Sequence, residues 1–124
     1  MTPPGGAGGD DPAALDNAAL DTLEEVRLRA REFVDERRWQ QYQTPKNLAM
    51  AMIVEAGELV ELFQWSTPAE SARPDASHRE AIAAEMADVL IYLVRMADVL
   101  DIDLRRSVLA KLDHNARKYP APAG

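Results

Sequence analysis

Two helical stretches that are apolar on nearly every face constrain the fold of this chain most. The first, Leu48 to Phe63, carries Glu55, Glu58 and Glu61, and no Lys or Arg occurs between residues 47 and 72. Acidic side chains three residues apart on a helix are neighbours and repel one another. Burying them among apolar side chains is costly unless something neutralises them. These acids therefore need a partner from outside their own helix.

The second stretch, residues 80–94, repeats this arrangement. Glu85 and Asp88 lie three residues apart among Ile, Met, Val and Leu, again without a Lys or Arg. Two apolar helices that each carry a carboxylate pair indicate one shared site between them. A cage made only of carboxylate oxygens suits a hard divalent cation, Mg²⁺ with Mn²⁺ as the alternative.

The spacing alone leaves the first pair of ligands open. Each three-residue step turns a helical side chain by about 60°, so either Glu55 with Glu58 or Glu58 with Glu61 can face the site. The competing interpretation is a set of surface acids, but surface helices usually mix charges of both signs. A ferritin-like di-iron site needs histidine three residues after a glutamate, which neither His78 nor His114 provides.

The whole pattern predicts one all-α domain that forms a four-helix bundle. We expect residues 1–16, rich in Gly and Pro, to be a disordered tail, residues 17–120 the domain, and residues 121–124 a C-terminal tail. Short links make neighbouring helices antiparallel, and the apolar excess predicts a dimer or a larger assembly. The apolar spacing places the helices at about 17–39, 45–65, 78–100 and 104–118.

Capping signals set the predicted helix ends. Thr44-Pro45 reads as an N-cap followed by proline at the first helical position. We predict that residues 66–77 form a loop and that Ser77 caps the next helix in a capping box with Glu80. Asp103 is expected to cap the last helix.

Charge and composition exclude several classes of protein. The formal net charge of −7 argues against a nucleic-acid binder, and the chain has no cysteine for disulfides or thiolate sites. No apolar run is long enough for a membrane span, and the first residues lack a secretory signal. We therefore expect a cytoplasmic protein without membrane or nucleic-acid partners.

The last helix differs in charge from the two acidic stretches. Lys111, Asn115 and Lys118 recur at helical spacing, and Lys46 precedes the first acidic stretch. Acids that hold a metal, combined with cations for free phosphate oxygens, are what a magnesium–polyphosphate requires. The competing interpretation is charge complementarity at a helix C-terminus.

Three aromatic side chains are placed to contact a ligand. Trp39 and Trp65 bracket the first acidic stretch, and Tyr92 follows Asp88 by four residues on the carboxylate face. Indole rings near a phosphate site can stack a nucleobase. The alternative is that both tryptophans close the ends of the bundle.

Three segments resemble a known family: WQQYQTPKNLAMAMIVEAGELVELFQW, EMADVLIYLVRMAD and KLDHNARKYP. They closely resemble the MazG-like, all-α nucleoside triphosphate pyrophosphatases, and within them the dCTP pyrophosphatase branch. The resemblance covers about residues 23–120. It implies a Mg²⁺-dependent hydrolase that cuts dCTP or a modified analogue into the monophosphate and pyrophosphate.

The resemblance also assigns roles to individual residues. It implies metal ligation by Glu55, Glu58, Glu85 and Asp88, with Glu61 at most in an outer shell. Glu55 or Glu58 is the candidate to take a proton from the attacking water. The predicted substrate contacts are Trp39, Gln40, Gln41, Tyr42, Gln43, Lys46, Asn47, Trp65, Tyr92, Lys111, Asn115, Lys118 and Tyr119.

Three positions depart from many relatives. This chain has Val54 where many have Glu, Gln43 where His is frequent, and Ala30 where the first helix often has His. The last two lie near the expected base pocket. Two other functions stay open: an enzyme of the same fold acting on dUTP or a damaged nucleotide, and a non-catalytic helical dimerisation module.

Overall fold

The computed structural model describes residues 22–123, and this part of the chain contains helices and no strand. It therefore confirms the predicted all-α class. No helix in the same range combines the length and apolar character that crossing a bilayer requires. The α-helices are α1 (Thr22–Glu36), α2 (Pro45–Glu61), α3 (Pro68–Ser71), α4 (Ala76–Val99) and α5 (Leu104–Lys118), with a 3₁₀ turn at Gln40–Tyr42.

Helix α4 is the central element. Helix α2 packs along it most extensively, and α1 packs against it as well. The buried apolar side chains come from these three helices and are Val34, Leu48, Val94 and Ala97. The two acidic helices predicted from the sequence, α2 and α4, are therefore direct neighbours.

Two of the predicted N-caps are confirmed. The side chain of Thr44 accepts a hydrogen bond from the backbone N–H of Asn47 at 3.1 Å, with Pro45 at the first helical position. Asp103 accepts in the same way from the N–H of Arg106 at 3.0 Å. Each side chain satisfies a backbone donor that a helix N-terminus would otherwise leave unpaired.

The predicted Ser77 capping box is wrong. Asp75 caps α4 by accepting from the N–H of His78 at 2.8 Å, so the helix begins at Ala76. An aspartate cap also brings negative charge to the positive end of the helix dipole. Ser77 instead donates its hydroxyl to Asp75 at 3.3 Å.

Two other boundaries differ from the sequence prediction. The expected loop at 66–77 contains α3, because Thr67 and Glu70 form a reciprocal capping box with Pro68 at the first position. Helix α1 ends at Glu36 rather than Trp39, since Arg38 adopts a left-handed φ of 55°. The predicted start of this helix near residue 17, and the predicted tail at 1–16, lie outside the described residues.

Large apolar faces remain exposed on the single chain. On α2, four such side chains are 57–63% exposed: Met50, Ile53, Val54 and Val60. On α5, Val108, Leu109 and Leu112 are 47%, 47% and 58% exposed. Contiguous apolar surface of this kind usually marks an interaction site.

Candidate active site

Three carboxylates from α2 and α4 meet at one place. One oxygen each from Glu55, Glu58 and Glu85 lies within 4.8 Å of the other two. The close packing of α2 on α4 produces this cluster, since Glu55 and Glu58 are one turn apart on the first helix and Glu85 faces them from the second. We refer to these three residues as the acidic cluster.

The acidic cluster is electrostatically unfavourable on its own. The pKa of Glu55 is raised, first by its hydrogen bond with Glu85 and also by burial and the charges of Glu85 and Asp88. The pKa of Glu58 is raised first by its hydrogen bond with Glu55. Like charges at this distance favour protonation of one partner, so a cation would relieve the repulsion.

When the carboxylates are all ionised, two buried oxygens in the cluster have no hydrogen-bond donor among residues 22–123. They are Oε2 of Glu55 and Oε2 of Glu85. A buried acceptor without a donor costs about 1–3 kcal/mol. A divalent ion bound between the helices would satisfy both oxygens. The donor set is all oxygen, which fits Mg²⁺ or Mn²⁺.

Asp88, the fourth predicted ligand, lies outside the 4.8 Å group. Its side chain is partly buried on α4, and its charge contributes to the raised pKa of Glu55. Glu61 is also outside the group, and it is exposed on α2. Asp88 therefore borders the cluster on α4.

A cavity of about 590 Å³ lies between α1 and α4, and Asp88 forms part of its wall. We call it the aromatic cavity. Its lining is mostly apolar, and the rings of Phe33 and Trp39 meet edge to face with centroids 5.8 Å apart. Tyr92, one turn after Asp88, also lines it. The size and the few polar groups are typical of a small-molecule site.

The structure places some predicted substrate contacts in this cavity and others elsewhere. Trp39, Gln43 and Tyr92 line it, as does Ala30, the position where relatives often have His. Gln40 donates its amide to Asp35 at 2.8 Å and does not line the cavity. Of the segment predicted to contact the base, residues 39–43, only the first and last residues therefore line the cavity.

The remaining predicted contacts do not line the aromatic cavity. Asn47 donates its side-chain amide to the carbonyl of Tyr42 at 3.2 Å and so fixes the 3₁₀ turn against α2. Trp65 is 90% exposed. The others are exposed or, for Asn115, partly exposed: Gln41, Tyr42, Lys46, Lys111, Asn115, Lys118 and Tyr119.

The sequence reasoning missed Arg95 and Asp98. Arg95 is only 6% exposed, and its Nη1 donates to Oδ2 of Asp98 at 2.9 Å. Asp98 also accepts hydrogen bonds from Arg27 at 2.9 Å and from Arg31. The sequence does indicate this ion pair, because Arg95 and Asp98 are oppositely charged residues at i and i+3 in a largely apolar helix.

The Asp98 carboxylate is strongly stabilised in its charged form. Hydrogen bonding to Arg31, followed by that to Arg27, lowers the pKa of Asp98 from 3.8 to about 2. Its side chain is only 7% exposed, as is that of Arg95. This ion-pair network joins α1 to α4 beside the aromatic cavity.

The fold is all-α, and the acidic cluster offers the oxygen ligands that a divalent metal ion would require. The chain belongs to the MazG-like family, whose model matches residues 50–124. It is 45% identical over 122 residues to dCTP pyrophosphatase 1 of Homo sapiens, covering 94% of this chain and 72% of that protein. The rat protein of the same name is 43% identical over 122 residues, with coverages of 94% and 71%.

A solved pyrophosphatase structure has a similar fold. A pyrophosphatase from Archaeoglobus fulgidus DSM 4304 superposes with a TM-score of 0.75 at 41% identity. The match covers 80% of this chain and 93% of the archaeal chain. The family match and the relatives named dCTP pyrophosphatase 1 confirm the resemblance to MazG-like pyrophosphatases found in the sequence.

Proposed function

We propose that this protein is a divalent-metal-dependent hydrolase that converts a nucleoside triphosphate, foremost dCTP or a modified analogue, into the monophosphate and pyrophosphate. The observation that carries the proposal is the acidic cluster, with its two unpaired buried oxygens, next to the aromatic cavity. The relatives named dCTP pyrophosphatase 1 support the same activity and direct the choice of substrate.

The metal ligands in this proposal are Glu55, Glu58 and Glu85, with Asp88 as the fourth. When bound, Mg²⁺ or Mn²⁺ supplies charge stabilisation for the triphosphate and its leaving group. The chain contributes the carboxylates that position the ion. A carboxylate oxygen of Glu55 or Glu58 that does not contact the ion is the candidate to accept a proton from the attacking water.

The bond changes follow from the proposed products. The water oxygen attacks the α-phosphorus and the bond to the α–β bridging oxygen breaks, so that pyrophosphate leaves. The proton of the water passes to Glu55 or Glu58. Trp39 and Tyr92 in the aromatic cavity contact the nucleoside.

Phosphate contacts from α5 are part of the proposal, together with a homodimer or homotetramer. Lys111, Lys118 and Asn115 offer donors for phosphate oxygens, and Lys46 lies just before α2. The exposed apolar faces of α2 and α5 support burial against further copies of the chain. A cytoplasmic location and the lack of nucleic-acid partners stay predictions from the sequence.

Turnover of a nucleotide panel tests the proposed function. With Mg²⁺, we expect dCTP or 5-methyl-dCTP to give monophosphate and pyrophosphate in equal amounts, measured by chromatography and a coupled pyrophosphate assay. Faster turnover of dUTP or a damaged nucleotide would favour the alternative substrate. Release of single phosphates, or no turnover of any nucleotide, would contradict the proposal.

Metal binding should also be visible without turnover. We expect Mg²⁺ at 100 times its Kd to raise the melting temperature by roughly 10 °C, because it binds only the folded cluster. The Glu55→Gln, Glu85→Gln double variant should lose this rise. Glu80→Gln, the same change at an exposed position of α4, should keep it. If Mg²⁺ left the melting temperature of the parent protein unchanged, the result would favour the non-catalytic dimerisation module.

A further inference from the structure

One hydrogen bond fixes the orientation of a polar side chain in the wall of the aromatic cavity. Nε of Arg95 donates to Oε1 of Gln43 at 2.9 Å. A guanidinium group has five N–H donors and no acceptor. The amide atom of Gln43 that faces Arg95 must therefore be its oxygen, so the amide nitrogen points away from Arg95.

Arg95 is itself held in place and cannot release Gln43 easily. It is 6% exposed, and its Nη1 donates to Asp98, whose carboxylate also accepts from Arg27 and Arg31. The buried charge of Arg95 is thus neutralised within the network. Rotation of Arg95 would leave a buried ion without its partner, which is costly.

The amide nitrogen of Gln43 is available to a ligand. Within the described part of the chain, this nitrogen donates to no protein acceptor, whereas the amide oxygen is occupied by Arg95. Gln43 is partly buried and lines the cavity together with Arg95, Trp39 and Tyr92. Among the mostly apolar side chains of this cavity, Gln43 therefore presents a fixed donor.

A fixed donor distinguishes cytosine from uracil and thymine. At position 3 cytosine carries an acceptor nitrogen, whereas uracil and thymine carry an N–H donor. The O2 acceptor is common to all three bases and does not discriminate between them. A buried polar group that meets the wrong partner loses its hydrogen bond, and such a mismatch can discriminate strongly. The amide nitrogen of Gln43 cannot form this hydrogen bond with a base that carries a donor at position 3.

We propose that Gln43 is a specificity-determining residue that selects cytosine nucleotides through N3, and that Arg95 is its positioning residue. This rests on the proposed function, since it assigns the base to the aromatic cavity. It also explains how a chain with Gln43 and Ala30 in place of the histidines of many relatives retains a polar contact to the base.

The Gln43→Glu variant tests the donor directly. One carboxylate oxygen still accepts from Arg95, so the side chain keeps its place, while the other oxygen offers an acceptor instead of N–H. We expect the ratio of kcat/KM for dCTP to that for dUTP to fall at least tenfold, an order-of-magnitude figure for one mismatched hydrogen bond. This ratio is independent of the fraction of folded protein, so loss of stability cannot imitate the effect.

Three further variants serve as controls. Gln64→Glu makes the same chemical change at an exposed residue that does not line the cavity, and it should leave the ratio unchanged. Arg95→Met frees the amide of Gln43 to flip, and the ratio should fall. Arg95→Lys restores a donor to Gln43, and the ratio should recover in part. A merely structural role of Arg95 would lower both rates equally.

Binding of reaction products separates this inference from the proposed function. Titration of metal-free protein with dCMP and dUMP can be followed by the fluorescence of its two tryptophans, of which Trp39 lines the cavity. We expect tighter binding of dCMP by the parent and loss of this preference in Gln43→Glu. Equal affinity of the parent for dCMP and dUMP, or an unchanged dCTP to dUTP ratio in Gln43→Glu, would overturn the inference even if the enzyme hydrolyses nucleotides.

Discussion

Replacing Glu58 by glutamine is expected to lower kcat with Mg²⁺ by about 10³-fold, which corresponds to about 4 kcal/mol of transition-state stabilisation. Glutamine has nearly the same shape but removes a negative charge from the acidic cluster. The raised pKa of Glu58 shows that this charge is unfavourable without a cation. The metal-free variant should therefore be at least as stable as the parent, which separates lost activity from unfolding.

The matched control for this prediction is Glu80→Gln. Glu80 is exposed on α4, the helix that also carries Glu85, and lies outside the acidic cluster. Its replacement should leave kcat within about twofold, as is usual for surface changes. If Glu58→Gln retained a third or more of the parent's kcat, Glu58 would not be a metal ligand.

The second large effect is on stability. Asp98→Asn should lower the free energy of unfolding at pH 7 by about 3 kcal/mol, because it leaves the buried charge of Arg95 without its counter-ion. We place the value at the lower end of the usual range since Arg31 is 47% exposed. Urea unfolding followed by circular dichroism measures the change.

The same carboxylate gives a defined pH dependence. The pKa of Asp98 is lowered to about 2 in the folded protein by its arginine partners. Its contribution to stability, about 2 kcal/mol from a shift of this size, is therefore complete above the unfolded pKa of 3.8. It is lost as the pH falls from about 4 towards 2. The curves of parent and Asp98→Asn should converge in this interval.

Asp113→Asn is the matched control, because Asp113 is exposed on α5 and takes part in no ion pair of the described chain. It should change stability by less than about 0.5 kcal/mol. A stability difference between parent and Asp98→Asn that persisted unchanged at pH 2 would contradict the ion-pair explanation.

Local signals in the sequence predicted the four long helices and the facing acids, but not the short helix α3. The three-residue spacing of Glu55 and Glu58, and the lack of nearby cations, predicted a site shared with the helix that carries Glu85. Capping chemistry located the starts of α2 and α5 correctly. It misplaced the start of α4, since Asp75 and Ser77 are both good caps and only the tertiary packing decides between them.

The aromatic cavity and the polar residues in its wall could not be predicted from the sequence. The Gln43–Arg95 hydrogen bond joins residues 52 positions apart. Residue spacing gives the face of a helix but not which distant side chain it meets. The sequence also gave no measure of how far Asp88 would lie from the acidic cluster, because that distance depends on the rotation of α4 against α2.

Helix α4 carries Glu85, Asp88, Tyr92, Arg95 and Asp98 at steps of three or four residues. At 1.5 Å per residue, these positions span about 20 Å of one unbroken helix. The distance between Glu85 in the acidic cluster and the α4 wall of the aromatic cavity is therefore set by helical pitch. Under the proposed function, adaptation of this fold to another nucleobase requires side-chain replacement in the cavity wall, at positions such as 30 and 43.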